Sequence, residues 1–137
     1  MKNSIFRLLA FTSLWMINFS CKNKSAGEQS ADFSANPFAT ESKLALQAPD
    51  FTHIKDEDFK PAIEEGMKQQ QEEIKKIAEN PEAPSFENTL VALEKSGQLL
   101  TRVGLVFNLL TGANTNPLLQ KVQEEEAPKL AANDDAL

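Results

Sequence analysis

Asp56–Asn80 reads DEDFKPAIEEGMKQQQEEIKKIAEN. Apolar side chains recur at Phe59, Ile63, Met67, Ile74 and Ile77, and Gln70 fills the remaining place in the stripe. The steps of four, four, three, four and three residues follow the period of an α-helix and not the alternation of a strand. The opposite face carries Glu64, Glu65, Lys68, Glu72, Glu73, Lys75 and Lys76. Glu64–Lys68 and Glu72–Lys76 stand four apart with the acid first, the better order for a helical ion pair. Asp56, Glu57 and Asp58 place carboxylates at the positive end of the helix dipole. Pro61 falls in the first turn, where a missing N–H costs little, and Asn80-Pro81 ends the segment. The stretch predicts an amphipathic helix with one face to be covered.

The residues downstream predict what covers it. Ser85, after Pro84, is a good N-cap, and Glu87 complements the dipole. Phe86, Leu90, Leu93, Gly97, Leu100, Gly104 and Phe107 then form one stripe, widened by Val91, Leu99, Val103, Val106, Leu109 and Leu110. This predicts a second helix running to a stop at Gly112, apolar nearly all round near its end and so deeply buried there. Gly97 and Gly104 each cost about 1 kcal/mol relative to Ala inside a helix. Their spacing puts them on one face, where another helix could approach closely. A third helix starts at Asn116 as N-cap with Pro117 at the first helical position. Leu119, Val122, Glu126 and Leu130 share a face, and Pro128 is expected to kink the helix or end it early. No strand-like alternation occurs beyond Cys21, and no repeat stands out. The predicted class is all-α, about three antiparallel helices with short connections.

Upstream, Met1–Ser20 has Lys2 and Arg7 ahead of an apolar run from Leu8 to Phe19. Its length suits a signal peptide and falls short of the roughly 20 residues of a membrane-spanning helix. Cys21, the one cysteine, follows Ser20 directly. That arrangement resembles a bacterial lipoprotein signal, with cleavage before Cys21 and lipidation of its thiol and new amine. It predicts an exported, periplasm-facing chain held to the membrane by acyl chains. Residues 21–35 are rich in Ser, Lys, Asn and Gly and read as a flexible tether. Residues 36–137 are the helical region, with Pro37 and Pro49 keeping its first part extended.

Charge and donor counts exclude several functions. Removing Lys2 and Arg7 with the signal takes the 14 basic side chains to 12 against 20 acidic ones, and the net charge from −6 to −8. Nucleic-acid binding, which relies on clustered cations, is therefore not expected. One histidine, His53, and one cysteine at the signal boundary leave too few soft donors for a zinc site, which draws three or four ligands mainly from Cys, His, Asp and Glu. His53 lies in a loop without a second ligand at a recognisable spacing and reads as a surface or capping residue. Glu124-Glu125-Glu126 reads as a solvated helix face, as do Glu64, Glu65, Glu72 and Glu73 between their lysines.

A family pattern lies across these elements. Asn36-Pro37-Phe38 opens it, followed by Ala48-Pro49-Asp50-Phe51, Ile54 and Phe59-Lys60-Pro61-Ala62-Ile63-Glu64-Glu65-Gly66-Met67. Asn80-Pro81-Glu82-Ala83-Pro84-Ser85-Phe86-Glu87-Asn88-Thr89 comes next, then Ala92-Leu93-Glu94-Lys95-Ser96-Gly97, Leu99-Leu100-Thr101-Arg102-Val103 and Thr111-Gly112-Ala113-Asn114-Thr115-Asn116. In order and spacing they resemble the opening of the thimet-oligopeptidase-like zinc metallopeptidases, in particular the peptidyl-dipeptidase branch. The resemblance covers roughly residues 36 to 133.

The resemblance implies a large, almost wholly helical ellipsoid with a deep channel. One zinc lies at the channel floor, held by two His of an H-E-x-x-H helix and a Glu from a later helix, with the Glu of the motif as general base on a zinc-bound water. It implies release of dipeptides from the C-termini of short peptides, and a place for the matching helices in one wall and rim of the channel. No H-E-x-x-H occurs in this sequence, and Leu118 stands where an acidic residue is expected. No catalytic, cofactor-binding or metal-binding residue is therefore assigned to this chain, whose expected function is that of a truncated N-terminal part, inactive alone. The alternative from the residues is a non-enzymatic helical lipoprotein that binds a peptide or protein partner.

Overall fold

Helix α1 (Phe59–Ala78) organises everything else in the computed structural model, which describes residues 33–137. Its stripe is buried at Phe59, Ala62, Ile63, Gly66 and Met67, while Gln70, Ile74 and Ile77 are half-buried. Two long helices pack on it: α3 (Gln98–Ala113) and α4 (Pro117–Ala136), with a single short turn, α2 (Ala92–Glu94), between α1 and α3. The pairings give the directions. Phe59 meets Phe107, Gly66 meets Leu100 and Glu73 meets Gly97, so α3 runs antiparallel to α1. Lys60 meets Glu125, Glu64 meets Lys129 and Gln71 meets Asn133, so α4 runs parallel to α1. The long helices thus alternate in direction along the chain, with α1 central. Among the described residues the class is all-α, as expected, and no helix is long and apolar enough to cross a membrane.

The core is one cluster: Phe38, Phe59, Ala62, Ile63, Met67, Leu99, Val103, Val106, Phe107, Leu119 and Val122. Phe59 sits between Phe38 and Phe107, with ring centroids 5.4 and 5.3 Å away in tilted contact, the geometry that aromatic quadrupoles favour. Residues 33–58 wrap this core as a strap of single 3₁₀ turns, Phe33–Ala35, Pro37–Ala39, Ala45–Gln47 and Asp56–Asp58. Asn36 fastens the strap twice: its Oδ1 accepts from the Phe38 N–H at 2.9 Å and its Nδ2 donates to the Asp58 carbonyl at 3.0 Å. Phe33 also packs against the core. The signal segment, Cys21 and the rest of the tether lie outside the described residues.

Several local expectations are corrected. The second helix is not continuous. Ser85 caps it as expected, its Oγ accepting from the Asn88 N–H at 3.1 Å while Asn88 Oδ1 accepts from the Ser85 N–H at 2.7 Å. Beyond this cap the chain forms a π-helical stretch, Phe86–Val91, then α2, and it breaks at Gly97 with φ +67°. Gly97 therefore adopts the left-handed region that glycine tolerates. It is no part of a helix face shared with Gly104, over which a Cβ would meet nothing within 4 Å. The close helix approach is made elsewhere, by Gly66: a Cβ there would lie 3.0 Å from Leu100 Cα.

The end of α3 is not buried all round, since Leu105 is 69% and Leu109 56% exposed. Pro128 does not end α4, which continues to Ala136. The bond that Pro128 cannot donate is one to the Glu124 carbonyl, and both residues are on the exposed side of the helix, where a carbonyl without that bond costs little. The expected Glu64–Lys68 pair is also redistributed: Lys68 reaches Glu65 at 3.5 Å, and Glu64 accepts from Lys129 of α4.

Candidate functional site

The strap and α3 enclose a groove of about 440 Å³, lined by Phe38, Lys43, Leu44, Asp50, His53 and Arg102 among others. Arg102 braces its floor, with Nη2 donating to the Phe38 carbonyl at 2.9 Å. At the rim, the Asp50-Phe51-Thr52-His53 turn folds back on itself. Asp50 Oδ1 accepts from the Thr52 hydroxyl at 2.6 Å and from the Thr52 N–H at 3.1 Å, while Asp50 Oδ2 lies 2.9 Å from His53 Nδ1. Donation from Thr52, and after it from His53, holds the Asp50 carboxyl below the usual carboxylate range. The His53 side chain is 76% exposed, so the pair is solvated and screened and contributes little to stability. This is the surface, turn-closing histidine that the sequence predicts. The Thr52 hydroxyl donates to Asp50 Oδ1 and lies 2.9 Å from His53 Nδ1, so the three side chains close the turn on one another.

A second polar centre lies between α1 and α4, and the sequence pattern revealed only half of it. Lys60 Nζ donates to Glu125 at 2.6 Å, and Lys129 Nζ donates to Glu64 and, at 2.9 Å, to Glu126. Glu125 raises the Lys60 amine and is itself held low by it. Hydrogen bonds to Glu64 and then Glu126 push the Lys129 amine above its usual range. The Glu124–Glu126 run is therefore not wholly a solvated face. Glu126 is 0% exposed, and its Oε2 has no hydrogen-bond partner. The helical stripe through Leu119 and Val122 carries Glu126 inward, and that spacing was the available signal. Two turns on, Asn133, also buried, donates to Gln70 at 2.8 Å and accepts from Gln71 at 2.9 Å. These groups interlock the helices. Lys60 serves Glu125, and Lys129 serves both Glu64 and Glu126, so the cluster is spent on helix packing.

Neither centre fits a zinc ion. Among the described residues no three His, Cys, Asp or Glu side chains stand together in a way that could hold a metal. His53 has a single carboxylate neighbour, and the Glu126 cluster faces two lysines.

No family model matches the chain. Two curated proteins do. It is 48% identical over 101 residues to a dipeptidyl carboxypeptidase of Escherichia coli (strain K12), an alignment covering 72% of this chain and 15% of that protein. It is 48% identical over 99 residues to a dipeptidyl carboxypeptidase of Salmonella typhimurium (strain LT2), again covering 72% of this chain and 15% of the relative. The chain thus spans about 15% of the length of the curated relatives it matches. Identity at this level over nearly three quarters of the chain leaves no room for chance agreement of helical patterns: the chain is kin to the dipeptidyl carboxypeptidases and corresponds to a part of their length.

Proposed function

We propose that this helical body is a supporting, non-catalytic portion of a peptidyl-dipeptidase, the class of peptidase that takes dipeptides from the C-termini of short peptides. The observation that carries this is the 48% identity to proteins named for that activity. The packing supports the same reading, since the charged and amide side chains of the α1–α4 seam are spent on joining helices. In this reading zinc, the general base and the substrate contacts that the resemblance implies belong to the part of such an enzyme that this chain does not span. The helices form part of its channel wall, and the chain alone hydrolyses nothing. The same proposal has Cys21 acylated, so that the enzyme faces the periplasm from a membrane anchor. Mass spectrometry of the membrane-extracted protein tests that part, and an unmodified Cys21 contradicts it.

The test of function is a chimera. The stretch of the Escherichia coli dipeptidyl carboxypeptidase that aligns with this chain is replaced by the aligned residues of this chain. The expected result is a folded enzyme that still releases dipeptides from an N-blocked tetrapeptide at a rate within about tenfold of its parent, a loss of no more than about 1.4 kcal/mol in transition-state stabilisation. A folded but inactive chimera would count against the proposal.

A further inference from the structure

The outward face of α3 is built to be covered. α1 carries eight charged side chains and α3 one, Arg102, whose guanidinium is turned to the Phe38 carbonyl. α1 meets solvent with charge, at Lys68, Glu72, Lys75 and Lys76. The outward face of α3 instead presents Thr101, Leu105, Asn108, Leu109 and Gly112, all exposed and all uncharged. Leu105 and Leu109, four apart, are 69% and 56% exposed. Beside them, a Cβ on Gly104 or Gly112 would meet no heavy atom within 4 Å. Glycine within a helix costs about 1 kcal/mol relative to alanine, a cost that nothing in residues 33–137 offsets at these two positions. A further backbone lying close over the helix would offset it, as Leu100 does over Gly66.

We propose that this face is a docking surface for the portion of a dipeptidyl carboxypeptidase that this chain does not span, received as an apolar, uncharged segment against Leu105, Leu109 and the two glycines. The occupant follows from the relatives. Each is 48% identical over the shared stretch, and that stretch is 15% of its length, so most of such a protein remains to lie against this body. A partner recognised by charge does not fit, because the face offers none. The inference rests on the proposed function above and goes beyond it in naming the contact face.

The test places Leu105→Glu and Leu109→Glu together in the isolated chain and in the chimera. In the isolated chain both side chains reach into water, so the thermal midpoint stays where it was. In the chimera the two carboxylates are forced into an apolar contact. Survival under protease then shortens about tenfold or more relative to the unsubstituted chimera. Equal survival of the two chimeras overturns the docking face, whatever their activity. An inactive unsubstituted chimera that nevertheless loses protease resistance on substitution keeps the face and sinks the functional reading. Sedimentation of the isolated chain as a dimer that the two substitutions dissolve assigns the face to a second copy and overturns the occupant named here.

Discussion

Substituting the two mid-helix glycines should have opposite signs. Gly66→Ala adds a methyl 3.0–3.1 Å from the Cα, Cβ and N of Leu100. Those atoms belong to the backbone or sit directly on it, so no rotamer change relieves the contact and α1 and α3 must part by a few tenths of an ångström. Overpacking of this kind costs about 1–3 kcal/mol, against a helix-propensity gain of about 1 kcal/mol. The net is a loss of up to about 2 kcal/mol. Gly104→Ala gains the same propensity into open space and stabilises by about 1 kcal/mol. The two variants should therefore differ by about 1–3 kcal/mol, and each kcal/mol separates melting temperatures by about 4–8 °C in a domain of this size. Thermal and urea unfolding followed by far-UV circular dichroism measures it. The reasoning is refuted if Gly66→Ala melts at or above Gly104→Ala, because α1 and α3 would then not meet at that position.

Phe59→Ala removes a ring of 0% exposure held between two others and should cost about 3–5 kcal/mol, seen as a collapse of the urea midpoint or loss of a cooperative transition. Asn116→Ala deletes an N-cap whose Oδ1 accepts from the Leu118 and Leu119 N–H groups, together with the 2.7 Å bond to Asp56. About 1–2 kcal/mol should be lost, measured as the same shift. The α1–α4 seam makes stability fall at both ends of the pH scale. Glu125 has its folded value depressed, so its contribution is present above the unfolded carboxyl range, near 4.3, and is lost as pH falls through the folded value. Lys60 and Lys129 are raised, so theirs is present below about 10.4 and lost as pH rises through the folded values. Urea midpoints against pH should be flat between, and Glu125→Gln should flatten the acid limb; an unchanged limb would show that this pair does not couple to folding.

The starts and stops of helices were readable because they depend on local chemistry. Ser85, the Asn116-Pro117 pair and Asn80-Pro81 act through hydrogen bonds within three residues, and all stand where expected. The expectations that failed depended on contacts across the fold. Gly97 fits both a helix stripe and a left-handed stop, and the decision was made by Glu73 of α1, whose carboxylate accepts the Gly97 N–H at 2.8 Å and caps α3. Pro128 is a helix breaker in isolation, but α4 is pinned to α1 on both sides of it, by Glu125 to Lys60 before it and by Lys129 to Glu64 and Asn133 to Gln70 after it. Glu126 set two signals against each other: the charge run pointed outward, while the stripe through Leu119 and Val122 pointed inward and prevailed. The family resemblance was legible because it rests on order and spacing along the chain. The uncovered face of α3 was legible in part: the sequence marks that helix as apolar nearly all round near its end, but which of its side chains stay exposed, Leu105 and Leu109, depends on what is available to bury them.

The central question is whether these residues support a peptidase or are one. The direct measurement is dipeptide release from an N-blocked tetrapeptide by the purified 137-residue chain, zinc supplied, with the chimera in parallel under the same conditions. The chimera is predicted to cleave and the chain alone to leave the peptide intact. Zinc-dependent dipeptide release by the chain alone would contradict the supporting role at its centre.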